Sequence, residues 1–172
     1  INLKENSGQT ALHHASRTVH LDIVKCIVVK ATELNIRDNY VKIQDNSGWT
    51  ALHEACFRGR LDIVKFLINQ GAYINLKYAH GQTALHFASR TDHLDIVKCI
   101  VAKATELNIK DNYVNIQSNN GKTALHEACF HGRLDNVKFL INQGADINLK
   151  YAFGQTALHH ASGTVHLDIV KF

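Results

Sequence analysis

Hydrophobic and polar residues follow one another along the chain with the spacing of short, paired α-helices. Between positions 61 and 68 apolar side chains recur three or four residues apart, which places them on one face of a helix: Leu61, Val64, Leu67 and Ile68. A shorter segment before it repeats the pattern with Leu52, Ala55 and Cys56. Thr50 is a good helix N-cap, and Gly59 and Gly71 accept the left-handed conformation that ends a helix. The pattern therefore predicts two helices within residues 50–71.

This pattern returns at regular intervals along the whole chain. The string G-x-T-A-L-H opens at Gly8, Gly48, Gly81, Gly121 and Gly154, so the intervals are 40, 33, 40 and 33 residues. A period close to 33 residues, with two helices in each unit, is typical of a stack of structural repeats. The units cover approximately residues 5–44, 45–77, 78–117, 118–150 and, as a partial fifth, 151–172.

The unit that begins at Gly48 reads G-W-T-A-L-H-E-A-C-F-R-G-R-L-D-I-V-K-F-L-I-N-Q-G-A-Y-I-N and resembles the ankyrin repeat. The resemblance extends over essentially the whole chain. It implies an all-α class of fold: an ankyrin-repeat α-solenoid with β-hairpin tips, forming a single domain over residues 1–172, with four full repeats and a partial fifth. The first unit begins inside a hairpin at Ile1, and the last stops within a second helix at Phe172, so we expect the chain to be a piece of a longer protein.

The alternating intervals reflect a larger duplicated unit, a long repeat followed by a standard one. Residues 8–44 and 81–117 are identical at 32 of 37 positions. The long repeats replace the glycine that ends the second helix by alanine and add seven residues. Because Ala, Glu and Leu favour helix, we predict that residues 31–37 and 104–110 continue their second helices by at least one turn. The alternative is a longer polar loop seeded by the Asp-Asn pair of each insertion.

Composition and charge narrow the functional classes only slightly. The net charge is +4, and acidic and basic residues are interleaved, so no single face is marked for nucleic acid. No run of 18 apolar residues predicts a membrane span. The four cysteines lack the spacing of a metal site, and we interpret them as reduced thiols. We therefore expect a monomeric intracellular protein, located in the cytoplasm, that needs no cofactor.

The histidines and glutamates do not predict catalysis or metal binding. In the ankyrin family the histidine of the motif bonds to backbone and to the neighbouring threonine and ties adjacent repeats together; the resemblance implies this role for His13, His53, His86, His126 and His159. Adjacent helical residues diverge by about 100°, so the His-His pairs cannot chelate one ion. Glu54 and Glu127 point to a different helical face from the motif histidines. Since no nucleophile lies beside a base, we expect no enzymatic activity and no metal site.

Hairpin tips and first helices of such a stack line a concave groove. Carrying the variable contact positions of the family onto this chain gives the candidate partner-binding residues Arg17, Trp49, Phe57, Arg58, His80, Arg90, Lys122, Phe130, His131 and Phe153. Trp49 is the only tryptophan, and glutamine or lysine stands at the equivalent positions of the other repeats, so the core does not require an aromatic residue there. It either anchors a partner or packs on the adjacent tip. Phe57 and Phe130 either contact a partner or wedge between repeats.

The sequence thus predicts a non-catalytic scaffold that binds a protein partner through this groove. One alternative is a regulatory segment of a larger enzyme or channel, and another is binding of nucleic acid or a small ligand. A modification site is a separate hypothesis. Leu140 followed by Asp146-Ile147-Asn148 resembles the motif that some ankyrin proteins present for asparagine hydroxylation, although Asn148 can equally stabilise its tip.

Overall fold

A computed structural model describes residues 3–163 and 166–170 of the chain. In this part of the chain the helices are α1 (Ala11–Ala15), α2 (Leu21–Glu33), α3 (Arg37–Tyr40), α4 (Ala51–Phe57), α5 (Leu61–Asn69), α6 (Ala84–Ser89), α7 (Leu94–Glu106), α8 (Lys110–Tyr113), α9 (Ala124–Phe130), α10 (Leu134–Asn142), α11 (Ala157–Gly163) and α12 (Leu167–Val170). The alternation of short first helices and longer second helices confirms the helical pairs that the sequence pattern predicts.

The helices stack in two parallel rows. Each first helix packs against the first helix of the next repeat, in the order α1, α4, α6, α9 and α11, and the second helices α2, α5, α7, α10 and α12 do the same. Between the rows lies a continuous core in which Leu52, Val64 and Leu67 are at most 1% exposed. Because successive units bury their apolar faces against one another, residues 3–163 and 166–170 form an all-helical stack of repeats.

Helices α1, α4, α6 and α9 begin with the same cap. In α4 the hydroxyl of Thr50 accepts a hydrogen bond from the His53 amide at 3.2 Å, and Nδ1 of His53 accepts one from the Thr50 amide at 3.2 Å. These two bonds satisfy amide groups that the first turn of a helix leaves without partners. The motif histidine is therefore committed to the backbone, as the resemblance implies.

The tips between repeats are turns joined by backbone hydrogen bonds. The amide of Asp45 donates to the Trp49 carbonyl at 2.8 Å and closes one tip, and the Ala79 amide donates to the Ser47 carbonyl at 2.7 Å and links two successive tips. Over residues 3–163 and 166–170 no segment forms a β-strand. The prediction of β-hairpin tips is therefore not confirmed, although the tips do form one linked edge of the stack.

The two long repeats extend their second helices by about one turn. Helices α2 and α7 have 13 residues each, whereas α5 and α10 have 9. The predicted extra turn is confirmed in both copies, but the helices stop at Glu33 and Glu106 rather than continuing to positions 37 and 110. Asn35 and Asn108 follow, each with φ of 55°, in the left-handed conformation that glycine adopts after the standard helices. Asparagine tolerates this region better than most residues.

A short helix fills the rest of each insertion. Helices α3 and α8 contain the Asp-Asn pairs, so the alternative of a polar loop is wrong for these residues. Each short helix ends on a tyrosine, Tyr40 or Tyr113, that is 2% exposed. The Tyr113 hydroxyl donates to the Ile74 carbonyl of the preceding repeat at 2.7 Å. In the second long repeat the insertion thus anchors the repeat to the preceding one.

Candidate functional site

Four of the five motif histidines, His13, His53, His86 and His126, are buried structural groups, whereas His159 is exposed. Nδ1 of His86 accepts from the Thr83 amide at 3.1 Å, so the ring proton lies on Nε2, which is 3.0 Å from the Lys122 carbonyl of the next repeat. His13 makes the same pair of contacts. Burial lowers the pKa of His53 and His86 to about 4, although Nε2 of His53 makes no hydrogen bond of good geometry. These imidazoles are therefore neutral at pH 7. Within the described residues no three His, Cys, Asp or Glu side chains come together as metal ligands.

Two first helices, α4 and α9, each carry a buried carboxylate that several side chains contact: Glu54 and Glu127. Glu127 is 3% exposed and accepts two hydrogen bonds from Arg90 of the preceding repeat, at 3.0 Å from Nε and 3.2 Å from Nη2. Nε2 of Gln82 donates to the same carboxylate at 3.1 Å. The sequence predicted that Glu127 points to a different helical face from the motif histidines. It did not predict that this face contacts Arg90, which lies 37 residues earlier. The recurrence of that arginine and glutamate in both super-repeats was the available signal.

An equivalent network lies around Glu54 in the first super-repeat, hereafter the upstream copy, and it contains Trp49. The network around Glu127 is the downstream copy. The Glu54 carboxylate is 3.2 Å from Nε of Arg17 and 3.0 Å from Nε of Arg58. Nε1 of Trp49 donates to the same carboxylate at 2.8 Å. Three of the predicted binding residues therefore converge on one buried carboxylate, which sequence reasoning did not include in the site.

Trp49 also packs on the following repeat. Its ring centroid lies 4.4 Å from that of Phe87 and 5.1 Å from that of Tyr78, in edge-to-face geometry. Phe57 lies 6.2 Å away and is 41% exposed. Of the two interpretations of Trp49, packing on the adjacent repeat is the one that the geometry supports. Phe57 remains at the surface beside it, next to the guanidinium of Arg58.

The downstream copy has a cleft beside Lys122, at the position that Trp49 occupies in the upstream copy. A cleft of about 380 Å³, hereafter the Lys122 cleft, is lined by His80, Gln82, Arg90, Asn120, Lys122, Glu127, Phe130 and His131. Five of these are predicted binding residues. Lys122 stands at the position equivalent to Trp49, and its Nζ lies 5.0 Å from the Phe130 ring centroid and 5.5 Å from that of Tyr151. The cleft is thus cationic at Lys122 and aromatic along one wall.

The remaining candidates lie apart from the cleft. Phe153 is 80% exposed on the next tip, where it contacts Tyr151 at a centroid distance of 5.5 Å. Asn148 is exposed, and its backbone amide donates to the Asp146 carboxylate at 2.8 Å. This turn is consistent with the tip-stabilising interpretation of the Asp-Ile-Asn segment. Hydroxylation of Asn148 stays a prediction.

All four cysteines are free, and burial raises the pKa of Cys129 to about 12, so this thiol is not a thiolate at neutral pH. Among the described helices, none has the length and apolar character needed to cross a bilayer.

Comparison with protein families agrees with the architecture. The family model described as ankyrin repeats (3 copies) matches residues 1–78, 31–111, 74–151 and 110–172, and these overlapping matches together span the chain. A search among curated proteins found no match.

Proposed function

Since the chain belongs to the ankyrin-repeat family, we propose that it is a non-catalytic scaffold that binds a protein partner through its tips and first helices. Ankyrin repeats are in general protein–protein interaction modules. The finer part of the proposal is the surface that is used, which we call the first-helix surface. It comprises the Lys122 cleft and the upstream cluster of Arg17, Trp49, Phe57 and Arg58.

Variation between otherwise similar repeats supports this choice of surface. The first helices repeat A-L-H and the second helices repeat L-D-x-V-K, as a shared core requires. The position of Trp49 is instead occupied by Gln9, Gln82, Lys122 and Gln155 in the other repeats. Positions whose side chains differ between repeats are not required by the shared core, so their side chains are available for recognition of a partner.

Exposure of aromatic side chains is the observation on which the proposal chiefly rests. Phe57 and Phe130 are 41% and 42% exposed, at equivalent positions of two repeats. Arg58 lies beside Phe57, and His131 beside Phe130 at a ring distance of 5.1 Å. Exposed aromatic and guanidinium groups are the side chains that most often dominate binding energy at interfaces.

The state of the glutamates supports a non-catalytic role. Glu54 and Glu127 are the buried carboxylates of this surface, and each is bound by at least one arginine. A general base needs an acceptor atom that can reach a substrate proton. Carboxylates that are buried and already bound to arginine do not offer one.

The test compares two pairs of substitutions in quantitative affinity enrichment with the full chain as bait. Phe57→Ala with Phe130→Ala alters the first-helix surface, and Lys65→Ala with Lys98→Ala alters exposed positions of the second helices. We expect the phenylalanine pair to lose the partners, because truncating an interface anchor commonly costs more than about 1 kcal/mol. The lysine pair should retain them. Loss with the lysine pair alone would place the interface on the second helices and contradict the proposal.

A further inference from the structure

We propose that the Lys122 cleft binds the carboxylate side chain of an aspartate or glutamate in an extended acidic segment of the protein partner. This inference rests on the proposed function, since it assigns a chemistry to part of the same first-helix surface. It is carried by the difference between the two copies of one structural unit, by the charges that line the cleft, and by the continuity of the surface on both sides of it.

The two copies share a frame, and Lys122 in place of Trp49 is one of four differences among the residues that line the cleft; the others are His80, Asn120 and His131 in place of Ser7, Ser47 and Arg58. In the upstream copy the indole of Trp49 donates to Glu54 and fills the space between the tip and the first helix of the following repeat. In the downstream copy Lys122 takes the equivalent position, and Glu127 receives its hydrogen bonds from Gln82 and Arg90 instead. The cleft of about 380 Å³ therefore lies where a lysine replaces the tryptophan.

The charges in the cleft do not cancel. The single carboxylate that lines the cleft, Glu127, accepts hydrogen bonds from Nε and Nη2 of Arg90. The ammonium of Lys122 is therefore an additional positive charge. Within the described residues Lys122 forms no ion pair, and its Nζ is held over the rings of Phe130 and Tyr151. An ammonium positioned on aromatic faces in a half-enclosed site is a suitable partner for an incoming anion.

Neutral donors accompany the lysine. Oδ1 of Asn120 accepts from the Ser118 hydroxyl at 2.8 Å, so the side-chain NH₂ group of Asn120 remains available as a donor on the cleft wall. His80 is exposed on the preceding tip and also lines the cleft. A carboxylate has two oxygens that accept several hydrogen bonds, which matches one ammonium and one or two neutral donors.

The exposed residues on both sides of the cleft favour binding of a side chain within a peptide rather than binding of a chain terminus. Exposed rings lie on either side of the cleft along the stack, with Phe57 upstream and Phe153 downstream, so a chain can pass through rather than end there. Nucleic acid presents a row of phosphates and is usually met by a stripe of basic residues. Here the carboxylates of Glu54 and Glu127 interrupt the basic residues on the same face, and within the cleft Lys122 is the basic residue that pairs with neither of them.

The experiment is selection of displayed random peptides on the full chain and on three variants. Lys122→Gln removes the charge, Lys122→Trp introduces the tryptophan of the upstream copy to fill the cleft, and Lys98→Gln removes an exposed lysine from a second helix as the matched control. We expect peptides selected on the original chain and on Lys98→Gln to be enriched in Asp and Glu. The enrichment should disappear with both Lys122 variants, and circular dichroism should show all four proteins to be equally helical.

Synthetic versions of one selected peptide then identify the group that binds. Replacing its acidic residue by the matching amide should weaken binding about tenfold or more, as loss of a charge-assisted contact does. Amidating its C-terminus should leave the affinity unchanged. If amidation abolishes binding, the cleft recognises a chain terminus and the proposal is wrong.

Two further outcomes separate this proposal from the function on which it rests. Selected peptides without acidic enrichment, whose binding is lost in Phe57→Ala/Phe130→Ala, would refute the carboxylate site and leave the proposed function intact. Peptides that bind all of these variants equally would refute both. A single-stranded oligonucleotide that binds the original chain tightly and Lys122→Gln weakly would assign the cleft to nucleic acid and overturn the proposal.

Discussion

Acidification from pH 7.5 to pH 5 should destabilise this fold strongly, because its buried histidines must remain neutral. His53 and His86 are each 1% exposed, and burial lowers their pKa from 6.5 to about 4. In the unfolded chain both titrate near 6.5, so between these values the unfolded state binds more protons than the folded state. The stability that each histidine contributes is complete above pH 6.5 and is lost as the pH falls towards 4.

The size of the effect follows from the same pKa values. A lowering from 6.5 to about 4 corresponds to roughly 3 kcal/mol of stability for each histidine once the pH lies below both values. At pH 5 about 2 kcal/mol of this is already lost, so the pair together removes about 4 kcal/mol. His13 and His126 add to the loss, because burial lowers their pKa as well. Most carboxylates are still ionised at pH 5 and contribute little to the difference.

The assay is urea unfolding followed by far-ultraviolet circular dichroism at the two pH values, with the imidazole titrations followed by NMR. The free energy of unfolding should fall by at least about 4 kcal/mol, and His86→Gln should reduce that difference by about 2 kcal/mol. His20→Gln, which alters an exposed residue at the start of α2, is the matched control and should leave the difference unchanged. An imidazole of His53 or His86 that titrates near 6.5 in the folded protein would refute the reasoning, as would equal stability at both pH values.

Three further predictions are tested by urea unfolding at pH 7.5. Arg90→Met should lower the free energy of unfolding by about 3 kcal/mol, because it leaves the Glu127 carboxylate buried without its arginine. Arg58→Met changes a side chain that is 48% exposed and should lower it by less than about 1 kcal/mol. Equal losses for the two variants would contradict the buried network. Asn108→Ala should cost about 1 kcal/mol and Asn108→Gly close to nothing, since φ is 55° there, and a harmless alanine would show that this backbone is not strained. Tyr113→Phe should lose about 1 kcal/mol with its 2.7 Å hydrogen bond, and an unchanged free energy would mean that the bond adds nothing.

The spacing of side chains along the chain was enough to predict the repeat architecture. Apolar residues three and four positions apart define the helices, and Thr50 and Gly59 mark boundaries that the structure shares. The role of the motif histidines also followed, by resemblance, from their place next to a capping threonine. These features are local, since each depends on residues within about one helical turn, and the sequence displays such neighbours directly.

The insertions lie at the limit of what local preference decides. Alanine, glutamate and leucine correctly predicted one more helical turn, but not the residue at which it stops. Asn35 and Asn108 end these helices with φ of 55°, a conformation for which asparagine is only a modest signal. Tyr40 and Tyr113 are buried at the end of the second, short helix, and the Tyr113 hydroxyl bonds to the preceding repeat. The contact with that repeat lies outside the local pattern.

Only the tertiary structure decided what the first-helix surface looks like. Stacking of the repeats brings Glu127 to Arg90, which lies 37 residues earlier, and the Trp49 indole to Phe87, and the spacing within one repeat does not show either contact. The sequence also could not show that a cleft lies beside Lys122, whereas at the equivalent position the Trp49 ring packs on Phe87 of the next repeat. Repeat periodicity fixes which residues face a neighbour, but the charge and volume found there depend on pairs of side chains from different repeats. Such pairs become neighbours only when the repeats stack, so the structure was needed to see them.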